Sequence, residues 1–439
     1  MLTGSILRYL WLSLGMGALS LLTPCVFPMV PITVSFFANH SSRTRAGALK
    51  MAALYGLGIM FTFVALGMSL AIIFGAAGIN KLASNPWVNL LITAIFLGFA
   101  LSLLGVFFMQ LPSGLMNRLN QTSSEKEGSV VGTMLMGLTF SLTSFTCTAP
   151  FVGTLLVLAT QGNWRWPLVG MLGFSFVFAL PFFLLALVPQ LMTQLPKSGG
   201  WMNSVKVVMG FLEIAAAMKF LSNADLVWHW NIFTRTTVLC IWTGCLLMVV
   251  AYLLGCFRLD HDSDLRAVSG VRVVLSLAFL ACAIWLSHGL AGHPLGGIDA
   301  FLPPAEVDSA AQVQTSAASA ETPWILNDLP SGLAKAKAEG KPVFIDFTGY
   351  TCTNCRWMES NVLSKPAIEQ DLSRFVKVRL YTDGDGEVYS NQQDYEDKHF
   401  GTVALPLYAL LDSNGAMVDT SAGVTRDADT FAEFLAKAK

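Results

Sequence analysis

The sequence predicts a polytopic α-helical membrane domain of about eight spans, followed by a small α/β domain. Three observations lead there. Of the 439 residues, 54% are hydrophobic and only 13% are charged, about half the charged fraction of an average soluble chain. Apolar runs of 18 or more residues recur through the first 290 positions, each long enough to cross a bilayer. The charge is also divided unevenly. Residues 1–300 carry 15 Lys+Arg against 8 Asp+Glu, whereas residues 301–439 carry 12 against 20. Two physically different parts are joined: a membrane domain at 1–290 and a soluble domain at 323–439, with a linker at 291–322 between them.

Hydropathy places the spans at 10–38, 47–76, 87–110, 131–160, 167–192, 203–222, 234–257 and 271–290. Arg8 precedes the first apolar stretch as it would in a signal peptide. The run continues through Pro24 to Phe37 with no small-x-small cleavage site, so it reads as the first span. The sixth span is the most polar, with Lys206, Glu213 and Lys219. Lys206 and Glu213 are seven apart and share a helix face, which suits an interfacial or cavity-facing pair.

Positive charge orients the set. Arg43, Arg45 and Lys50 follow the first span, Arg118 and Lys126 the third, Lys197 and Lys206 the fifth, and Arg258, Arg266 and Arg272 the seventh. The alternate loops hold only Lys81, Arg165, Lys219 and Arg235. Odd-numbered loops are therefore expected in the cytoplasm and both chain ends outside it.

The stretch 291–322 is rich in Ala, Ser and Pro and reads as a flexible tether. In the soluble part, "KPVFIDFTG" and "FVKVRLY" read as strands. "LYALLDSNGAMV" reads as a hairpin turning at Asn414–Gly415. "DADTFAEFLAKAK" has the acidic start and basic end of an amphipathic helix. Strands mixed with helices indicate an α/β sandwich.

A repeat lies inside the membrane part. "SLLTPCVFPMV" at 20–30 can be laid over "TSFTCTAPFVG" at 143–153, with Cys25 three residues before Pro28 and Cys147 three before Pro150. Each motif opens a block of three spans, so the second block would be inverted relative to the first. Inverted repeats with broken helices build midplane sites in many transporters. Pro24, Pro28 and Pro150 remove backbone donors and open the helix locally. Irregular backbone at that depth needs protein or a watered cavity around it. A soluble thiol protein could then reach Cys25 and Cys147, and two cysteines on pseudo-symmetric segments could pair as a disulfide. Cys240, Cys245, Cys256 and Cys282 read as packing residues.

In "FIDFTGYTCTNCRWME" a strand leads through a short turn to Cys352 and Cys355 at a helix start. Unpaired N–H groups and the positive end of the helix dipole favour a thiolate at Cys352, and Cys355, one turn on, can resolve a mixed disulfide. Arg356 adds nearby positive charge, and Asp346, on the buried strand, is placed to relay a proton. The competing reading is half of a zinc site, but this domain has no second cysteine pair and only one histidine, His399.

These residues resemble the thioredoxin family over roughly 325–439. The resemblance extends to Asp346 and to "ALPLY", where Leu405–Pro406 matches the family's cis-proline opposite the active site. Thr351 departs from the Trp that many members place before the first Cys. The whole chain resembles the DsbD family of transmembrane thiol:disulfide interchange proteins, whose membrane core is shared with the CcdA group. "TPCVFPMVP", "TCTAPFVG", eight spans and a tethered Cys-x-x-Cys carry the likeness. The usual member begins with a further periplasmic, immunoglobulin-like domain bearing another Cys pair, which is expected to be missing here.

The resemblance implies a protein-disulfide reductase of the bacterial inner membrane with its C-terminal domain in the periplasm. Electrons from cytoplasmic thioredoxin would cross through Cys25 and Cys147 to Cys352 and Cys355, then reach periplasmic disulfide-bearing proteins, including those of cytochrome c assembly. Membrane lipid is an expected partner and nucleic acid is not. No metal or organic cofactor is expected. The rival reading is a metal or small-solute transporter with a redox-sensing thioredoxin-like appendage, which 18 methionines and membrane thiols would suit.

Overall fold

The computed structural model describes residues 6–21, 26, 45–106, 137–138, 141, 144, 148, 165–187, 199–259, 268–304 and 324–438. The chain divides into two compact units. One comprises Met1–Ile79, Gly98–Glu213 and Phe257–Arg266; the other comprises Asn80–Leu97, Ile214–Cys256 and Ala267–Lys439.

Among the described residues, the helices of the membrane part are α1 (Ile6–Ser20), α2 (Arg45–Ser84), α3 (Pro86–Leu103), α4 (Arg165–Leu187), α5 (Gly199–Trp228), α6 (Arg235–Leu253) and α7 (Gly270–Leu290). Among the described residues, four segments are long and apolar enough to cross a membrane: Leu49–Ser69, Pro86–Leu103, Arg235–Leu253 and Gly270–Leu290. They match four of the expected spans, and the shorter apolar Leu168–Leu184 matches a fifth. The expected span at 203–222 lies within α5, and the four charges of that helix dilute its hydropathy. Glu213 is fully buried, and among the described residues its carboxylate has no hydrogen-bond partner and no ion pair to Lys206. Most of the expected spans 10–38 and 131–160 lies outside the described residues, and so does the repeat relating them.

In the first unit an aromatic core joins α2 to α4. Phe63 meets Phe178 edge-on at 5.0 Å and Phe174 at 5.8 Å, with Tyr55, Ile59 and Phe182 buried beside them. Helix α1 packs closely on α4 because small residues line the seam. A Cβ on Gly17 would stand 2.7 Å from the Phe174 carbonyl oxygen, so a larger residue would force the helices apart.

In the second unit α3 meets α5 through Phe96–Phe220 and Trp87–Trp228 ring contacts, at 5.4 Å each. The turn after α5 is held by Asp225, which accepts from the N–H groups of Ile232 and Phe233 at 3.2 and 3.0 Å. Helix α6 packs along α7. The segment after α7 departs from the expected tether. Gly296–Phe301 forms a 3-10 turn, with Leu295 and Leu302 buried against Val238, Leu239 and Leu286. Asp299 fixes it by pairing with Arg235 and accepting from the Leu295 N–H at 2.7 Å.

The soluble domain contains β1 (Ile325–Leu326), α8 (Leu329–Glu339), β2 (Val343–Thr348), α9 (Thr353–Met358) and a π-turn (Glu359–Leu363). After these come α10 (Pro366–Leu372), β3 (Val376–Tyr381), α11 (Glu387–Phe400), β4 (Leu407–Leu411), β5 (Met417–Ala422) and α12 (Ala428–Leu435). The sheet order is β1-β3-β2-β4-β5, parallel through β2 and antiparallel beyond it. The expected hairpin is present, with Gly415 at φ 84° in its turn, a conformation glycine adopts without strain.

Strand period 2 splits the core. Phe344, Tyr408 and Leu410 face α10 and α12, while Val343, Ile345 and Phe347 face α8 and α11. Phe344, Tyr408 and Phe431 form an aromatic knot with centroids 5.2–6.4 Å apart. Each such pair contributes about 0.5–1.5 kcal/mol beyond area burial. The result is a rigid central β2 that delivers its last residue to the loop before Cys352.

Candidate active site

The loop Gly349–Thr351 is pinned by one carboxylate. Asp383 accepts from the Tyr350 N–H at 2.7 Å, the Thr351 N–H at 3.0 Å and the Thr351 hydroxyl at 3.0 Å. Burial pushes the Asp383 carboxyl above its ordinary range, and these hydrogen bonds and the nearby Arg356 charge oppose that rise. A Cβ on Gly349 would lie 2.6 Å from Asp383 Oδ2 and 3.1 Å from the Leu405 side chain. Only glycine therefore lets the carboxylate close on the loop. Tyr350 stacks on Tyr381 at 4.0 Å, its hydroxyl is 3.3 Å from that of Tyr389, and the ring of His229 meets it edge-on at 5.3 Å. Burial, reinforced by Tyr389, raises the Tyr350 phenol.

Cys352 caps α9. Its sulfur accepts from the Cys355 N–H at 3.1 Å, one of the donors a helix start leaves unpaired. Cys352 and Cys355 are joined in a disulfide with Cα atoms 5.3 Å apart. Cys352 is partly exposed whereas Cys355 is 1% exposed, so an incoming thiolate meets Cys352 first. The Leu405–Pro406 peptide bond is cis. With Leu405 against Gly349, the Pro406 loop borders the Cys352 loop.

Around Glu359, at the end of α9, lies a buried ionic group. Arg379 Nε donates to Asp346 Oδ2 at 2.9 Å, and its Nη2 stands 3.7 Å from Glu359 Oε1. Arg356 Nη1 pairs with Glu359 Oε2 at 2.7 Å, while its Nη2 donates to Thr348 Oγ1 at 3.1 Å and to the Gly349 carbonyl at 3.4 Å. Burial works against the Arg356 charge, but Glu359, Tyr381 and Asp346 outweigh it and hold the guanidinium above its ordinary value. The guanidinium of Arg356, expected as a nearby positive charge, faces Glu359 and the end of β2.

Of the sequence-derived set, Cys352 and Cys355 are joined in the disulfide, Asp346 lies on β2 paired with Arg379, and Pro406 follows the cis bond just before β4. Cys25, Cys147, Pro24, Pro28 and Pro150 lie outside the described residues. Sequence reasoning missed Asp383, Glu359, Arg379 and Tyr408. Two of these carried a signal. Glu359 follows Cys355 by four, the spacing of one helix face, and Lys377 and Arg379 alternate within a strand otherwise apolar enough to be buried. Asp383 sits in the polar stretch "TDGDGE", where nothing singles it out.

Residues 6–224 match a family profile described as cytochrome C biogenesis protein transmembrane domain, and residues 324–413 match one described as thioredoxin-like. The chain is 30% identical over 416 residues to the thiol:disulfide interchange protein DsbD of Vibrio cholerae, covering 93% of this chain and 63% of that one. It is 31% identical over 386 residues to thiol:disulfide interchange protein DsbD 2 of Pseudomonas aeruginosa, covering 86% and 62%. The chain thus spans a little under two thirds of the length of these relatives. An apolar helical membrane part and a thioredoxin-like domain with a paired Cys-x-x-Cys follow one another in the same order, and the chain belongs to the DsbD family.

Proposed function

We propose that this membrane protein is a protein-disulfide reductase that moves electron pairs by successive thiol–disulfide exchanges. The observation that carries this reading is the Cys352–Cys355 disulfide, with one sulfur reachable and the other buried, in a chain whose membrane part matches the DsbD type. Reduced cytoplasmic thioredoxin reduces a Cys25–Cys147 disulfide in the inner membrane, and the dithiol formed is presented to the periplasmic side. One of its thiolates attacks Cys352 Sγ, forming a mixed disulfide and releasing the Cys355 thiolate. The second thiolate of the donor pair then displaces Cys352. Two electrons pass to Cys352–Cys355, the donor pair is left as a disulfide, and the two released thiolates take up protons.

In the outward step the Cys352 thiolate attacks a periplasmic protein's disulfide, and Cys355 resolves the mixed species. For that attack the Cys355 thiol must lose its proton, and Asp346 is the proposed acceptor, buried on β2 and ionised by its pairing with Arg379. Pro406, after the cis bond and beside the loop before Cys352, is the proposed contact for the client chain. Replacing Cys355 with Ser removes the resolving thiol, so Cys352 should accumulate in mixed disulfides with the membrane domain or a periplasmic protein. Non-reducing electrophoresis of cells carrying C355S, with no adduct that thiol reductant dissolves, would overturn the reading.

A further inference from the structure

Two arginines that the exchange chemistry does not require are buried around Glu359, at the end of the helix that carries Cys355, each 4% exposed at the side chain. Between them lie two carboxylates, Asp346 at 1% and Glu359 at 18%. Arg379 reaches both, at 2.9 and 3.7 Å, and Arg356 reaches Glu359 at 2.7 Å. Two buried carboxylates left to themselves would resist ionising together, since burial and mutual repulsion both favour a proton on one of them. Two guanidiniums cancel that repulsion. The pairing is also geometrically fixed. Asp346 and Arg379 are register partners across the parallel β2–β3 pair, and Trp324 covers the Arg379 guanidinium at 4.3 Å. Arg356 is anchored to the end of β2 through Thr348 and Gly349.

We propose that Arg379 and Arg356 are positioning residues for the exchange: they hold Asp346 and Glu359 as anions and so set the pH range in which Cys355 can give up its proton. This deepens the reading of Cys352–Cys355 as the exchanging pair and rests on it. Among the other groups near the quartet, Lys219 on α5 is a cation within electrostatic reach of Arg356, on which it acts as a like charge. Tyr408 on β4 stands opposite Asp346, and burial, with Asp346 and Glu359 nearby, keeps its phenol neutral. Tyr381 on β3 is stacked on Tyr350. Lys377 on β3 lies over Trp324 at 5.3 Å. Asp383 beyond β3 is turned toward Tyr350 and Thr351. Trp324 contributes a ring face, which favours a cation but neutralises no carboxylate. Arginine matters here for its fork, which holds two acceptors at once.

The test isolates the resolving step in full-length detergent-solubilised protein. Cys352 is converted to its glutathione mixed disulfide; Cys355 then attacks Cys352 Sγ, the Cys352–Cys355 bond forms and glutathione leaves as the thiolate. Glutathione loss from the peptide containing both cysteines is followed by mass spectrometry from pH 5 to 9. R379Q should move the acidic limb of the rate profile up by at least about one pH unit, a tenfold loss of rate on that limb. R379K, which keeps the charge without the fork, should fall between R379Q and the parent. Adding R379Q to D346N should cause a smaller further shift, the part carried by Glu359. An R379Q or R379K profile that superimposes on the parent's, or an undiminished R379Q shift in the D346N background, would overturn the proposal. Absence of glutathione release in the unmutated protein would instead overturn the exchange reading beneath it.

Discussion

Thr351 gives both its N–H and its hydroxyl to the carboxylate of Asp383, each at 3.0 Å. The residue before the first redox cysteine is thus tied to the loop beyond β3, and Cys352 follows from a fixed point. Many thioredoxin-like sites place an aromatic side chain there; here a small hydroxyl and a buried acid hold the loop.

Asp383→Ala therefore leaves two N–H groups and a hydroxyl without their acceptor. Because Tyr350 and Thr351 retain some solvent contact, the loss should be about 2–4 kcal/mol in total. Disulfide exchange at Cys352 should slow about tenfold or more as the loop drifts. Stopped-flow reduction of the Cys352–Cys355 pair checks this, and a rate within twofold of the parent's would show that the loop holds without Asp383.

The two arginines paired with Asp346 and Glu359, and Asp383 bonded to the loop before Cys352, also explain how much of the site could be read in advance. Cys352 and Cys355 announce themselves by spacing, and β2, β3 and the β4–β5 hairpin by apolar runs and an Asn–Gly turn. Partners that meet only after folding leave little trace. Arg379 reaches Asp346 across 33 positions and Asp383 reaches Tyr350 across the same distance. Residues 295–302 mislead for another reason. "LGGIDAFL" has the Gly content of a tether, yet Leu295, Asp299 and Leu302 each bind locally to α6 and α7 or their ends.

Asp299→Ala should release that turn. It removes the partner of Arg235 and the acceptor of the Leu295 N–H. The expected loss is about 2–3 kcal/mol, below that of a fully buried pair because Arg235 keeps some exposure. Limited proteolysis of the full chain should then cut within 291–304 several times faster. An unchanged cleavage rate there would mean that Leu295 and Leu302 alone seat the turn.

Glu396 on α11 is fully buried, and among the described residues its carboxylate has no hydrogen-bond partner. Burial, with Asp397 beside it, pushes its pKa up to about 9. A folded value above the unfolded one means the folded domain holds the proton more tightly. That stability is fully present below the ordinary carboxylate range and is lost as pH rises toward 9, by up to about 1.4 kcal/mol per pH unit. Glu396→Gln should flatten the decline. Urea midpoints from pulse proteolysis at pH 6 and pH 9 measure it; equal parent midpoints at the two pH values would contradict the assignment.

The central claim is that electrons reach Cys352–Cys355 through the membrane cysteines. Its most direct measurement is the redox state of that pair in growing cells carrying Cys25→Ala, read by acid quenching, maleimide labelling and gel shift. In the parent the pair should be largely reduced at steady state. In the variant it should accumulate as the disulfide, because the upstream donor is gone. A pair as reduced in the variant as in the parent would contradict the relay.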